Sequence, residues 1–431
     1  MNIMEIYIDG FDNIVDTRIK LSELTALLAV NNYGKSNLLS AIKAGLTLPG
    51  MGKQSQRRFI NSIEHISLNK QSYRVSEASV RPFTFEIVFK TVLQGKTVNV
   101  RYNYSIRWMK GIETECLRVS ENGSNGRLFL NRESGNATFL SSEQGRCDRR
   151  LLIDTCTLAI TTLSYLEDKY TFHELSNIIC GVTFPLFDTL DTVESYNNNK
   201  LFFSDSSDLL VLSRTNIKKA LFILKEIYPK TFKLIENTFI TLFPQYLSII
   251  VEKISSDYTP DDDIADNNDD DLFFNLLDEE YFVVFTDKYL IKPVAAEQLS
   301  NGTRRLLSIL INTAIARITT CPLLGIEEIE TSIHPAKIGD FLDVLIQLAP
   351  ECKFIVTSHS PSVTQYIRSD ALYVGQPRFD GYARFLCLPK ENSKIIANEA
   401  KQFGMTVGEM IFNQMSSGSE ADARLSSLLE G

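Results

Sequence analysis

Asn31-Asn32-Tyr33-Gly34-Lys35-Ser36 follows the apolar run Thr25 to Val30. It precedes Leu38, Leu39, Ala41, Ile42 and Leu46, which recur at helical spacing until Pro49-Gly50. Strand, glycine-bearing loop and helix in that order form a phosphate-binding turn. Phosphate oxygens require backbone N–H donors converging at a helix N-terminus, one positive side chain and a hydroxyl for magnesium. Gly34 lets the main chain pass close to a β-phosphate, Lys35 reaches the β- and γ-phosphates, and Ser36 completes the magnesium shell. The pattern G-x-x-x-x-G-K-[ST] would place a glycine at position 29, where Ala29 stands. Either the loop turns there without a left-handed residue or nucleotide affinity is reduced.

Three distant segments belong to the same chemistry. Leu299-Ser300-Asn301-Gly302-Thr303 opens a helix that Ser300 caps, and Gly302 leaves its first N–H groups uncovered. A serine hydroxyl at a positive helix end suits a γ-phosphate arriving from another molecule. The apolar strand Leu323-Leu324-Gly325-Ile326 ends in Glu327 and Glu328, and neighbours on a strand point to opposite sides. Glu327 is assigned to magnesium and Glu328 to the attacking water. In Thr357-Ser358-His359-Ser360 the histidine ends an adjacent strand, within reach of the γ-phosphate. Singly these are a helix cap, a charged strand end and a structural histidine; their order along the chain joins them.

The chain has 431 residues, 44% of them apolar, and a net charge of −9. That length exceeds what one core usually supports, and the negative balance writes no general attraction to nucleic acid into composition. The seven cysteines (Cys116, Cys147, Cys156, Cys180, Cys321, Cys352, Cys387) are far apart with no C-x-x-C pair, which reads as reduced thiols in a cytoplasmic protein. No signal peptide is visible, and no stretch approaches the ~18 apolar residues of a membrane span.

The expected fold is α/β, a P-loop nucleotide-binding core with an antiparallel β-lobe and an inserted helical lobe. Residues 1–50 carry the phosphate loop after two short strands around a turn. Residues 51–150 hold hairpins such as Phe83-Thr-Phe-Glu-Ile-Val-Phe89 and Val98 to Ile106. Residues 151–280 are mostly helical, clearest over Ile217 to Ile227 and Phe232 to Phe243, and close on an acidic loop from Asp257 to Asp271. That loop has no glycine and so no calcium-loop pattern. Residues 281–390 return to the core, and 391–431 form a polar tail.

These motifs resemble the ABC-type ATPase superfamily, in the soluble branch of AAA-family proteins that holds structural-maintenance-of-chromosomes (SMC) heads, the recombination mediator RecF and the overcoming-lysogenization-defect nucleases. Within it the likeness is to ATPases of bacterial anti-phage systems, such as the Septu ATPase and its retron-associated relatives. The carriers are Asn31 to Leu39, Leu299 to Arg305, Ile326 to Glu330 with Ile333-His334-Pro335, and Thr357 to Pro361. The likeness covers about residues 1 to 135 and 280 to 375. It implies ATP and Mg2+ as ligands, with Asn31, Asn32, Tyr33, Gly34, Lys35, Ser36 and Asn37 as the Walker A loop. Ser300, Asn301 and Gly302 match the signature, Glu327 and Glu328 the Walker B pair, and His359 the switch histidine. Two molecules would sandwich two ATPs, each closed by the partner's Ser300.

Ile329 stands where relatives have proline, and Asp12 after Phe11 where many have arginine; Gln54 and Gln56 are the candidates for the glutamine that couples magnesium to lobe motion. These departures imply slow turnover. Only 72 residues follow His359, too few for an appended nuclease core. A separate effector such as an HNH nuclease is then expected, regulated by a dimer or higher homo-oligomer. Two other readings stand beside it: a DNA-clamping repair ATPase using Lys218, Lys219, Lys230, Lys233, Arg149 and Arg150, and a structural ATP clamp. The acidic loop and the tail around Phe403-Gly404-Met405 and Met410-Ile411-Phe412 are the candidate docking segments.

Overall fold

The computed structural model describes residues 1–31, 33–61, 81–107, 110–121, 126–140, 145–165, 171–187, 208–254, 280–377, 382–416 and 419–429. Asn32 and the acidic stretch from Asp257 to Asp271 lie outside these residues. The chain divides into two compact units. Met1–Leu186, Cys321–Glu330 and Glu351–Gly431 form the first; Phe187–Thr320 and Thr331–Pro350 form the second.

The first unit begins with three strands rather than two: β1 (Asn2–Asp9), β2 (Thr17–Lys20) and β3 (Leu24–Leu28). Helices α1 (Lys35–Thr47) and α2 (Lys53–Asn61) follow. The next strands are β4 (Phe83–Leu93), β5 (Lys96–Arg107), β6 (Gly111–Ser120), β7 (Arg127–Glu133), β8 (Asn136–Leu140) and β9 (Cys147–Leu152). Helices α3 (Ala159–Leu163) and α4 (Thr171–Cys180) and the short β10 (Leu186–Phe187) complete this stretch. Strands β2-β1-β4-β5-β6-β7-β8-β9 form one antiparallel sheet, so the hairpins expected in 51–150 share their sheet with the N-terminus. Period-two alternation buries Phe83, Phe85, Ile87 and Phe89 on one face.

On that face α1 sits tightly: a Cβ on Gly45 would fall 2.1 Å from the Phe85 ring, and the Tyr104 hydroxyl donates to the Gly45 carbonyl at 2.9 Å. A buried ionic knot ties the following segment to the sheet. Glu115 accepts from the Ala159 and Ile160 N–H groups (2.6 and 2.9 Å) and from Tyr102 (3.0 Å). Burial pushes its carboxyl pKa up, and the donors with Arg132, 3.6 Å away, oppose that. Arg132 itself donates to the Ser134, Thr157 and Asp154 carbonyls. These bonds hold residues 154–160 to the β-sheet, so the second unit begins at Phe187, later than the expected boundary at 151.

The second unit carries α5 (Asp208–Thr215), α6 (Ile217–Ile227), α7 (Pro229–Leu242), strands β11 (Tyr246–Ile254), β12 (Glu280–Asp287) and β13 (Val294–Ala295), and helices α8 (Asn301–Ile318) and α9 (Ile338–Leu348). Asn216 caps α6 and Pro229 opens α7, where its missing N–H costs nothing. Phe239, Tyr246 and Phe285 pack ring to ring between α7 and the three-stranded sheet. The buried Ser213 hydroxyl donates to Asn312 at 2.6 Å, tying α5 to α8.

The chain re-enters the first unit in β14 (Leu323–Ile326), β15 (Lys353–Ser358), β16 (Leu372–Pro377) and β17 (Ala383–Cys387). They join β3 in the order β10-β14-β15-β3-β16-β17, with β14, β15, β3 and β16 mutually parallel. Strands covered on both faces need no alternation, and every residue of β3 and β14 is buried. The tail is three helices instead of a polar extension: α10 (Lys390–Gln402), α11 (Val407–Ser416) and α12 (Ser419–Leu429). Met410 and Ile411 are buried, and a Cβ on Gly408 would meet the Pro361 carbonyl at 2.4 Å, so α11 closes on the turn after His359. Phe403 stays 70% exposed. None of the seven cysteines is joined in a disulfide.

Gly45→Ala is expected to lower stability despite the ~1 kcal/mol gain in helix propensity, because overpacking against the buried Phe85 ring costs about 1–3 kcal/mol. Thermal unfolding checks this; an unchanged or raised midpoint would show that α1 can move off the sheet.

Candidate functional site

Parallel pairing decides what meets at the sheet edge. Ile326 is level with Val356, which is level with Ala26, and Ser358 is level with Leu28. The segments leaving β3, β14 and β15 therefore emerge side by side, the position where open α/β sheets collect ligands.

After β3 the chain turns into α1 through Gly34, whose φ of 88° is left-handed. A side chain there would strike Asn13 Oδ1 at 2.9 Å and Ile14 at 3.0 Å. Asn13 also accepts from Asn37 Nδ2 at 2.9 Å, so the β1–β2 turn braces the loop. Ala29 is fully buried and absent from the positive-φ residues, so the loop turns without a left-handed residue there. Its methyl group lies against Gly375 of β16, where an added Cβ would come within 3.0 Å. Asn31 and Ser36 are exposed, and Tyr33 packs partly on the core.

Lys35 is buried. Its ammonium group donates to the Ala29 carbonyl (2.7 Å), the Val30 carbonyl (3.3 Å) and His359 Nδ1 (3.0 Å), a full set of acceptors for its protons. An ammonium only donates, so Nδ1 accepts, and His359 Nε2 lies 3.3 Å from Glu328 Oε1. Lys35, His359 and Glu328 thus form one line across three strand ends. Burial lowers the Lys35 pKa to about 8, against the charges of Glu328, Glu330 and Glu327, which raise it.

Glu327 and Glu328 lie beyond the strand, which ends at Ile326, so the expected alternation of neighbouring strand residues does not govern them. Glu328 adopts φ 44°, a left-handed conformation unusual for a carboxylate side chain, and its N–H donates to Thr357 Oγ1 at 2.9 Å. Glu330, which had no assigned role among the motif residues, accepts the His359 N–H at 2.5 Å. Asn13, Glu330 and Thr357 are the site residues that sequence reasoning missed. Glu330 and Thr357 stood inside recognised motifs, but Asn13 has no local signal.

Magnesium takes oxygen ligands, keeps several waters and needs only one or two protein donors when phosphates supply the rest. The exposed Ser36 hydroxyl in the first turn of α1 and the Glu327 carboxylate just after β14 are such a donor pair. Among the described residues no group of three or more His, Cys, Asp or Glu side chains forms a protein-only cage. The donor set fits a cation held largely by substrate oxygens.

Gln56 does not fit its expected part. It is fully buried, donates to the Leu48 and Met51 carbonyls and Thr161, and accepts the Leu158 N–H. Its amide is committed to fastening α2 to the turn at Leu48–Met51 and to the start of α3. In the second unit, Ser300 caps α8 as expected, accepting from the Thr303 N–H at 3.1 Å, and Asn301 accepts from Arg304. Gly302 lies in the first turn of that helix. His334 is exposed and caps a short turn through the Ala336 N–H.

A family model described as "AAA domain, putative AbiEii toxin, Type IV TA system" matches residues 25–364. Among solved structures, an SMC head bound to the C-winged helix domain of ScpA matches at 15% identity, covering 92% of this chain and 100% of that one, with a TM-score of 0.48. The SMC head domain from Thermotoga maritima matches at 12% identity (90% and 100% covered, TM-score 0.41). An SMC head with extended coiled coil, bound to the C-terminal domain of ScpA derived from Pyrococcus furiosus, matches at 15% identity (93% and 99%, TM-score 0.47). No helix among the described residues is long and apolar enough to cross a membrane.

Nucleotide binding should consume a proton at alkaline pH. Above about 8, Lys35 is increasingly neutral in the nucleotide-free protein, whereas a bound triphosphate favours the charged form. Between pH 7 and 9 the affinity for ATP is expected to fall up to about tenfold, one pH unit above the pKa being worth a factor of ten. Calorimetry in buffers of different ionisation enthalpy reads the proton directly; no uptake at pH 9 would contradict the assignment.

Proposed function

Because the chain belongs to the AAA-domain family described as a putative AbiEii toxin of a type IV toxin–antitoxin system, and is an ATPase, we propose that it hydrolyses ATP slowly between two copies of itself and thereby controls a separate effector. Lys35 neutralises the β- and γ-phosphates, with the backbone around Gly34 donating to them and Asn31, Asn32, Tyr33 and Asn37 as the rest of the binding motif. Ser36 and Glu327 hold Mg2+, which supplies charge neutralisation to the phosphates when bound. Glu328 orients the attacking water and accepts its proton, and His359, whose Nε2 lies beside Glu328 without nucleotide, turns to the γ-phosphate once ATP is bound. The helix opened by Ser300, Asn301 and Gly302 serves the triphosphate of the other copy, its N-terminus favouring negative charge.

The observation that carries this reading is the line Lys35 Nζ, His359, Glu328 at 3.0 and 3.3 Å. A base, a hydrogen-bond donor and a phosphate-binding cation close together suit phosphoryl transfer to water. Anti-phage defence through an effector nuclease, of the HNH kind or another, follows from the motif resemblance. In the DNA-clamping alternative, two of the six cations already have carboxylate partners. Lys218 pairs with Glu297 at 2.7 Å and Lys233 with Glu236 at 2.6 Å. Arg149 and Arg150 are exposed on β9, and salt-dependent DNA binding by the purified chain would favour this alternative.

Glu328→Gln is expected to lower the single-turnover hydrolysis rate by about 100-fold or more while ATP binding persists and the nucleotide-bound dimer accumulates. Unchanged turnover would remove Glu328 from the chemistry, and hydrolysis by a strictly monomeric species would remove the shared site.

A further inference from the structure

Two hydrogen bonds run in opposite directions between the segments that follow β14 and β15. The Glu328 N–H donates to Thr357 Oγ1 at 2.9 Å, and the His359 N–H donates to Glu330 Oε1 at 2.5 Å. Each segment therefore contributes one reacting residue and one residue that grips the backbone of the other. We infer that Thr357 and Glu330 form a reciprocal clamp that fixes the separation of Glu328 and His359, making both of them positioning residues for hydrolysis. The inference rests on the ATP-hydrolysing reading of the same site.

Glu328 is held at φ 44°, which for a residue with a Cβ costs on the order of 1 kcal/mol, and the Thr357 hydroxyl captures the N–H that this conformation turns toward β15. Thr357 is buried at 2% exposure, so the hydroxyl has a fixed position. Glu330 uses one oxygen on His359, while Oε2 is buried with no hydrogen-bond partner among the described residues. A carboxylate kept only for folding would satisfy both oxygens, because an unpaired buried acceptor is destabilising. The arrangement costs stability twice and fixes one distance, the 3.3 Å between His359 Nε2 and Glu328 Oε1. Catalytic geometry requires such control: an error near 1 Å at a reacting group can cost about 100-fold.

The test uses the full-length chain, excess protein over γ-labelled ATP with Mg2+, and a separate titration of ATP binding. Glu330→Ala and Thr357→Val each remove one grip. Glu330→Gln keeps an acceptor for the His359 N–H, and Thr357→Ser keeps the hydroxyl. The first pair is expected to slow the hydrolytic step by about 10- to 100-fold with ATP affinity changed less than about threefold, and the second pair to recover most of that loss. If Glu330→Ala and Thr357→Val hydrolyse at the wild-type rate, or if Gln and Ser fail to rescue, the clamp is overturned. Loss of ATP affinity in proportion to rate would overturn it too, since that marks general unfolding of the site. Lys35→Ala separates the two levels. If it binds and hydrolyses ATP normally, the reading of the whole site fails. If it is inactive while Glu330→Ala and Thr357→Val are normal, only the clamp fails.

Discussion

Parallel hydrogen bonding among β14, β15 and β3 is the constraint on which the site depends. Each strand arrives from a different part of the chain, and only their common direction brings their C-terminal ends to one edge. With Ile326, Val356 and Ala26 in register, the residues that follow are within hydrogen-bond reach without any contribution from long flexible loops. Both faces of these strands are buried, so a slip of one residue would repack two faces at once and displace the residues that follow; the core that specifies the register also specifies the site.

What surrounds that edge is rigid by the same logic. The phosphate loop is braced by Asn13 and by α1, whose Gly45 lies directly on Phe85. The turn after His359 is covered by α11 from the tail, with Gly408 admitting the Pro361 carbonyl. Apolar packing therefore supplies the frame, and charged groups are confined to places where they have partners: Glu115 with Arg132 in the sheet, and Lys35 with carbonyls and His359 at the edge. Buried charges left unpaired would cost several kcal/mol each, which explains why both clusters are densely bonded.

The Lys35 arrangement also shows how one residue can serve two demands. Its burial disfavours the charged form, and the glutamates after β14 restore part of what burial removes. A lysine so placed ties its own loop together through the Ala29 and Val30 carbonyls.

The sequence by itself determined the pieces: the phosphate loop between a buried strand and a helix, the capped α8, the acidic pair after β14 and the histidine after β15. Each has a local pattern set by hydrophobic periodicity, capping chemistry or glycine conformation, which needs no knowledge of the rest of the chain. The helical tail was less legible, because short amphipathic helices rich in charge look like polar linkers until something packs against them. Only the tertiary structure decided that Lys35, His359 and Glu328 lie in one line, that Glu328 leaves the strand in a left-handed turn, and that Gln56 is spent on holding α2. It also decided that Asn13, Glu330 and Thr357 belong to the site. Those facts arise from contacts between residues up to 324 positions apart, and strand register and packing, rather than local propensity, bring such residues together.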